Sequence, residues 1–170
     1  MDLKSTIRSI PDFPKPGILF RDITTMLKDG AAFSFVIDEL AGRYRSGNID
    51  AIAGIESRGF IFGAALAANL GKGFIPIRKP GKLPAQIVSA EYSLEYGTDK
   101  IEMHADAVSP GMRILLIDDL LATGGTMQAA CELIETTGGI VTECCFIIEL
   151  ADLKGRDVLA GKNIFSLLVY

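Results

Sequence analysis

The chain of 170 residues holds a single histidine, His104, and three cysteines, Cys131, Cys144 and Cys145. With one histidine, in a polar loop, a Ser-His-Asp or Cys-His nucleophilic engine has little to be built from. The cysteines lack metal-ligand spacing, and Cys144 and Cys145 would point to opposite faces of a strand, so all three are expected as buried thiols. No run reaches the roughly 18 apolar residues of a membrane span, and Met1 to Ile10 carries charges where a signal peptide would be apolar. No membrane association and a cytoplasmic location are therefore expected. Positive charge is also scarce: 17 Lys and Arg against 21 Asp and Glu leave a net charge of −4 and a pI near 5.0. Such a chain has no electrostatic footprint for nucleic acid, and any anion site must be local.

What is present is a large apolar interior. Hydrophobic residues make up 49% and charged residues 22%, with a mean hydropathy of +0.33. At this length the expectation is one domain spanning 1–170 that buries about 70% of its unfolded surface. Ala51 to Ile55, Phe74 to Ile77, Ile114 to Ile117, Val141 to Leu150 and Ile164 to Val169 read as buried strands. Phe33, Val36, Ile37, Leu40 and Tyr44 carry the three-and-four spacing of a helix ending near Gly47. Phe60 to Leu70 is a second helical stretch, and Met127, Ala130, Cys131 and Ile134 mark a third that ends at Gly138-Gly139. Residues 2–10 suggest a short helix. Alternating strands and helices imply an α/β fold with a mainly parallel sheet flanked by helices. From Leu83 to Ala105 the helical period disappears, which predicts a small antiparallel hairpin or hood outside the main sheet.

The chemistry concentrates at Arg113 to Thr126. A short apolar strand ends in Asp118-Asp119 and runs into Ala122-Thr123-Gly124-Gly125-Thr126 ahead of a helical pattern. Small residues there leave backbone N–H groups pointing into one concavity, where the helix dipole also favours an anion. Two carboxylates beside a phosphate would repel it, unless the ligand also carries hydroxyl donors or a divalent metal lies between. A ribose 5-phosphate satisfies both halves, with its 2- and 3-hydroxyls on Asp118 and Asp119 and its phosphate in 122–126. The plain alternative is an acidic loop capping the next helix through Thr123 or Thr126. The order strand, acid pair, glycine-threonine loop, helix favours the site.

Two further stretches suit anions. Glu56-Ser57-Arg58-Gly59 lies at a strand-to-helix turn, where ligands are expected in α/β sheets, and its amides and guanidinium suit a diphosphate. Arg78-Lys79-Pro80-Gly81-Lys82 follows the next strand; alone it would read as a solvated turn. The proline-rich entry at Pro11, Pro14, Pro16 and Gly17 leads into Ile18-Leu19-Phe20-Arg21-Asp22-Ile23, either a flap or ordinary edge packing.

The stretch around Asp118 resembles the binding loop of type I phosphoribosyltransferases, which use 5-phosphoribosyl 1-diphosphate (PRPP). Four more segments, in order along the chain, resemble the adenine phosphoribosyltransferase family: Phe13 to Ile23, Glu56 to Gly59, Ile77 to Pro84, and Glu95-Tyr96-Gly97. The resemblance implies a type I phosphoribosyltransferase fold with a flap at about 11–24 and a hood at about 79–105. It implies transfer of the phosphoribosyl group from PRPP to adenine, giving AMP and diphosphate, with Mg²⁺, in a homodimer of purine salvage. By the same resemblance Leu19 and Arg21 read the purine edge through backbone groups, and Phe20 and Leu150 flank its faces. Glu56, Ser57, Arg58, Arg78 and Lys79 serve the diphosphate, Arg78 across the dimer interface, and Glu56 to Ser57 is a cis peptide. Glu95 manages proton transfer and Tyr96 positions ligands. The metal's own ligands stay open, with Asp118 or Asp119 touching it indirectly. Two other functions remain: a PRPP-binding regulator without turnover, and a phosphoribosyltransferase for another purine base.

Overall fold

Ala51–Ile55 is apolar and buried at all five positions, as a strand covered on both faces must be. It is β3 of a five-stranded sheet in the computed structural model, which describes residues 1–93 and 97–170. The sheet belongs to the unit Ser46–Tyr170, the larger of two compact units, the other being Met1–Arg45.

In the larger unit, β3 is followed by α3 (Arg58–Leu70), β4 (Gly73–Ile77), the hairpin β5 (Ile87–Ser93) and β6 (Thr98–His104), β7 (Arg113–Leu121), α4 (Gly125–Thr136), β8 (Ile140–Glu149), α5 (Gly155–Val158) and β9 (Ile164–Val169). The sheet order is β4-β3-β7-β8-β9 and every neighbouring pair is parallel. Alternation sorts the side chains by face. Ala51, Ala53, Ile55, Ile114, Leu116, Cys144 and Phe146 join one core with Met127, Ala130, Cys131 and Ile134 of α4. The opposite face meets α3 at glycines: a Cβ on Gly63 would lie 2.7 Å from the Phe74 ring and 2.9 Å from Ile117. The three cysteines are buried free thiols, as expected.

The hood is an antiparallel hairpin in which Ile87 pairs with His104 and Ser93 with Thr98. Its inner strand is tied to the end of β4 by paired backbone bonds between Arg78 and Glu102 at 2.9 and 2.8 Å. Ile101 and Met103 are buried in the core while the outward residues of β5 stay exposed, which is why no helical period shows there.

In the smaller unit the expected helix over 2–10 is replaced by a 3₁₀ turn at Leu3–Thr6 and the strand β1 (Arg8–Pro11), antiparallel to β2 (Leu19–Asp22). Long-range pairing outweighs local helix propensity here. Asp22 accepts from Arg8 Nε at 3.0 Å and Nη2 at 2.5 Å, and from the Thr24 N–H at 2.9 Å. The turn between the strands uses positive φ at Asp12 and Gly17, whose N–H donates to Asp12 Oδ1 at 2.8 Å. Then come α1 (Thr24–Lys28) and α2 (Gly30–Tyr44), the second capped by the Asp29 carboxylate on the Ala31 and Ala32 N–H groups. Val36, Ile37, Leu40 and Tyr44 form its buried stripe. Among the described residues no helix is long and apolar enough to cross a membrane.

Candidate active site

The chain passes from β3 outward to β4 on one side, then returns to lay β7, β8 and β9 on the other. Strand order therefore reverses between β3 and β7, and such a reversal opens a crevice at the carboxyl ends of the two strands. A cleft of ≈ 280 Å³ lies there, lined by Glu56, Ser57 and Arg58 after β3, Asp118 and Asp119 on β7, and Lys79, Tyr92 and Thr126.

Close approach is built into the turn after β3. A Cβ on Gly59 would fall 2.8 Å from the Ile117 carbonyl and 3.0 Å from Asp118 Oδ1, so glycine lets the start of α3 lie against the end of β7. The Glu56–Ser57 peptide is cis, as the resemblance implies. Arg58 Nε pairs with Asp119 Oδ2 at 2.7 Å, and the Asp119 side chain is only 7% exposed. Asp118 Oδ1 accepts the Asp119 N–H at 2.9 Å. Burial, followed by the charge of Asp119, pushes the Asp118 carboxyl well above its usual range.

β7 runs on past both aspartates, with Leu120 and Leu121 still paired to Ile148 and Glu149. The strand is longer than its apolar run suggests because β8 continues beside it. A second hollow of ≈ 70 Å³ follows, lined by Ala122, Thr123, Gly124 and Thr126 together with Asp118 and Phe146. α4 starts at Gly125 with Gly124 as its N-cap at φ 89°, so neither Thr123 nor Thr126 holds the cap position. A glycine cap offers no side chain to the first-turn N–H groups, which suits an anion better than a helix already capped.

The backing of this loop went unread in the sequence. A Cβ on Gly124 would fall 2.6 Å from the Gly155 carbonyl, so the loop rests on the first turn of α5. α5 is in turn held by Arg156, which donates twice to Glu149, at 2.7 Å from Nε and 2.7 Å from Nη2. A buried glutamate seven residues before an arginine carries no local motif; the turn at Ala151–Leu153 folds α5 back so that the two meet.

The three cations of 78–82 are organised by Glu56. Its carboxylate accepts from Arg78 Nε at 3.2 Å, the Lys79 N–H at 3.0 Å and Lys82 Nζ at 2.5 Å. Although burial opposes it, the Lys82 ammonium, the Lys79 amide and Arg78 hold Glu56 at about 2. Glu56 thus orders the basic loop. Lys79 reaches the cleft wall, while Arg78 sits beside it and also donates to the Lys82 carbonyl at 3.2 Å.

Leu150 follows β8 at the same end of the sheet, and its N–H donates to the Leu121 carbonyl at 3.0 Å. Leu19, Phe20 and Arg21 form the body of β2 in the smaller unit, where Phe20 meets Phe13 edge-on at 5.1 Å and Arg21 donates to Ser9 at 2.5 Å. Glu95 and Tyr96 lie outside the described residues.

An acid pair, an uncapped helix start and a basic turn within one crevice can hold a sugar that carries phosphate at one end and diphosphate at the other. The phosphoribosyl transferase domain family matches residues 24–163. An adenine phosphoribosyltransferase of Chloroflexus aurantiacus is 60% identical over 99% of this chain and 98% of its own. The chain belongs to the adenine phosphoribosyltransferase family. Among solved adenine phosphoribosyltransferases, that of Thermoanaerobacter pseudethanolicus superposes with a TM-score of 0.96 at 54% identity, covering 99% of this chain and 98% of that one. The Saccharomyces cerevisiae enzyme, complexed with an imino-altritol bisphosphate and adenine, superposes with a TM-score of 0.92 at 40% identity, covering 98% and 97%. The adenine phosphoribosyltransferase fold, a parallel sheet flanked by helices with an antiparallel hood, is thereby established for this chain.

Proposed function

We propose that this protein transfers the 5-phosphoribosyl group of PRPP to adenine, giving AMP and diphosphate. The observation that carries the reading is the crevice between β3 and β7, where the Arg58 turn faces Asp118, Asp119 and the start of α4 in a chain of this family. The ribose hydroxyls lie on Asp118 and Asp119, and the 5-phosphate takes the amides of Ala122, Thr123, Gly124, Gly125 and Thr126. Ser57, Arg58 and Lys79 receive the diphosphate, with Arg78 reaching it from the neighbouring subunit of a homodimer and Glu56 keeping the basic loop in place. Base recognition belongs to Leu19, Phe20, Arg21 and Leu150. A backbone carbonyl accepts from the 6-amino group of adenine but would face the 6-oxygen of hypoxanthine or guanine, a buried mismatch of about 1 to 3 kcal/mol.

As the bond from ribose C1 to diphosphate breaks, positive charge builds on the sugar and negative charge on the leaving group. Arg58 and Lys79 answer the second, and the acids beside the ribose answer the first. Glu95 moves the proton at the base and Tyr96 positions the ligands. Among the described residues no group of three or more His, Cys, Asp or Glu converges to hold a metal, and Asp119 is committed to Arg58. That donor set fits Mg²⁺ carried mainly by PRPP oxygens and water, with Asp118 or Asp119 touching it indirectly. Bound this way, the ion supplies charge neutralisation at the leaving diphosphate.

The single-domain organisation with its flap and hood, the homodimer and a cytoplasmic location belong to the same proposal. The test is turnover: PRPP, Mg²⁺ and each of adenine, hypoxanthine, guanine and xanthine are offered to the purified protein, and AMP is followed chromatographically. Adenine-dependent release of diphosphate is expected; PRPP binding without it would favour a regulator. Glu95→Gln is expected to retain PRPP binding while kcat falls by roughly 10²-fold. An unchanged kcat would remove Glu95 from the chemistry.

A further inference from the structure

The Lys79 ammonium reaches the cleft already engaged. It donates to Tyr92 Oη at 2.6 Å and forms an ion pair with Asp99, and Tyr92 Oη donates to Asp99 Oδ2 at 2.9 Å. Tyr92 and Asp99 sit directly opposite each other on β5 and β6, so hairpin register fixes the acceptor pair. Two of the three ammonium protons are therefore spent on the hood, on the lysine that lines the cleft beside Arg58.

The contrast with its neighbours is informative. Arg78 and Lys82 are held by Glu56, whose side chain is 12% exposed and accepts three donors. The cations are similarly exposed, 33% for Arg78, 48% for Lys82 and 38% for Lys79, but the acceptor Asp99 is 32% exposed where Glu56 is 12%, so solvent screens the Lys79 pair more and favours its exchange. A diphosphate, with several negative charges, outbids one carboxylate for the ammonium. When it does, Tyr92 remains hydrogen-bonded to Asp99 and keeps the acid in place for the lysine's return.

We propose that Asp99 is a positioning residue that competes internally for the Lys79 ammonium, holding it while the cleft lacks diphosphate and releasing it to the diphosphate end of PRPP. The inference rests on the reading that Lys79 serves the diphosphate. Asp99 then lowers the affinity for diphosphate and hastens its departure after transfer, because the carboxylate recaptures the lysine as the product leaves.

The test is calorimetric titration of magnesium diphosphate into the wild type, Asp99→Asn, Asp99→Ser, Asp99→Glu, Lys79→Met and the double variant Asp99→Asn/Lys79→Met, with steady-state kinetics beside it. Asp99→Asn and Asp99→Ser should bind diphosphate roughly threefold more tightly and lower the KM for PRPP without raising kcat. Asp99→Glu should restore the wild-type value. In the Lys79→Met background, Asp99→Asn should change the affinity by less than about 1.5-fold, because the coupling needs both partners. Unchanged or weaker binding in both neutral variants overturns the proposal, as does equal tightening without Lys79, which would mark a general charge effect. A wild type that neither binds diphosphate nor turns over PRPP overturns the reading of the site as well. Normal turnover with unaltered Asp99 variants overturns this inference alone.

Discussion

An arginine-aspartate pair joins the β3 and β7 segments at each end, Asp50 just before β3 with Arg113 at the start of β7, and Arg58 at the start of α3 with Asp119 on β7, and the two pairs do different work. At the amino ends, Arg113 donates to Asp50 from Nε at 2.9 Å and Nη2 at 2.6 Å, and its backbone N–H adds a third bond at 2.8 Å. The Arg113 side chain, then its amide, hold Asp50 far below the usual carboxylate range. Every strong acceptor there has its donor. At the carboxyl ends, Arg58 pairs with Asp119 at 2.7 Å, but Asp118 lies beside them with its carboxyl raised by burial and by its neighbour. The same residue types, bridging the same two strand segments, thus make a matched fastener at one end and a crowded cleft with two adjoining carboxyl groups at the other. A local conflict that folding alone would not favour thus lies at the end to which the ligand site is assigned by proposal.

The most severe way to break the comparison is Asp118→Asn. If the ribose lies on Asp118, kcat/KM for PRPP should fall by roughly 10²-fold or more in a coupled diphosphate assay. Without ligand the same change should stabilise. Folding raises this carboxyl, through burial first and the charge of Asp119 second, so keeping it ionised at neutral pH opposes folding, and the amide removes that opposition while still accepting the Asp119 N–H. A rise in thermal midpoint of roughly 2 to 4 °C is expected, the shift that about 1 kcal/mol makes in a chain of this size. Lower activity with a lower midpoint would mean that Asp118 is structural.

Only the cleft end of this contrast was legible in the sequence; the pair of Asp50 with Arg113 was not. The strand Ala51–Ile55 fell where a continuous apolar run placed it, because burial on both faces leaves a signal that needs no partner; Ile164–Val169 is also a strand, but as the sheet's edge it is only half-buried and not the buried strand expected. Asp118, Asp119 and the loop to Thr126 stood out because ligand loops follow strands locally, and the structure brings them beside Arg58. What stayed unread depends on distant partners. β1 forms only because β2 lies across from it, and Arg8 needs Asp22. Tyr92 is set beside Asp99 by hairpin register, which is not written in any single segment, and Lys79 then meets both; Arg156 meets Glu149 through the turn after β8, whose path carries no motif.

A milder test works on the matched end. Asp50→Asn breaks the pair with Arg113 while leaving the cleft's residues in place. Both side chains are about one third exposed, 34% for Arg113 and 35% for Asp50, so solvent screens much of the interaction. A drop of at most a few degrees in thermal midpoint is expected, with kcat and the KM for PRPP at wild-type values. Loss of activity without loss of stability would mean that the two ends communicate through the strands, and that the division between fastener and site is wrong.

The last expected effect concerns the acid that orders the basic loop, and it sharpens where matching ends. Burial raises the Glu56 carboxyl, but Lys82, the Lys79 amide and Arg78 outweigh it and lower the value from 4.5 to about 2. The native state therefore holds this group ionised where the unfolded chain would protonate it. Its contribution is complete above the unfolded value near 4.5 and drains away as pH falls towards about 2. Glu56→Gln should flatten that part of the stability profile, measured as urea midpoints between pH 5 and 3, and at neutral pH should lower the midpoint by about what the wild type loses on acidification. Since Lys82 and Arg78 lose their common acceptor, the variant should also bind magnesium diphosphate with a steeper dependence on salt, as cations freed from a buried partner are screened by solvent ions. An unaltered acid profile would show that the loop is ordered by its paired backbone bonds to Glu102 and not by the charge of Glu56.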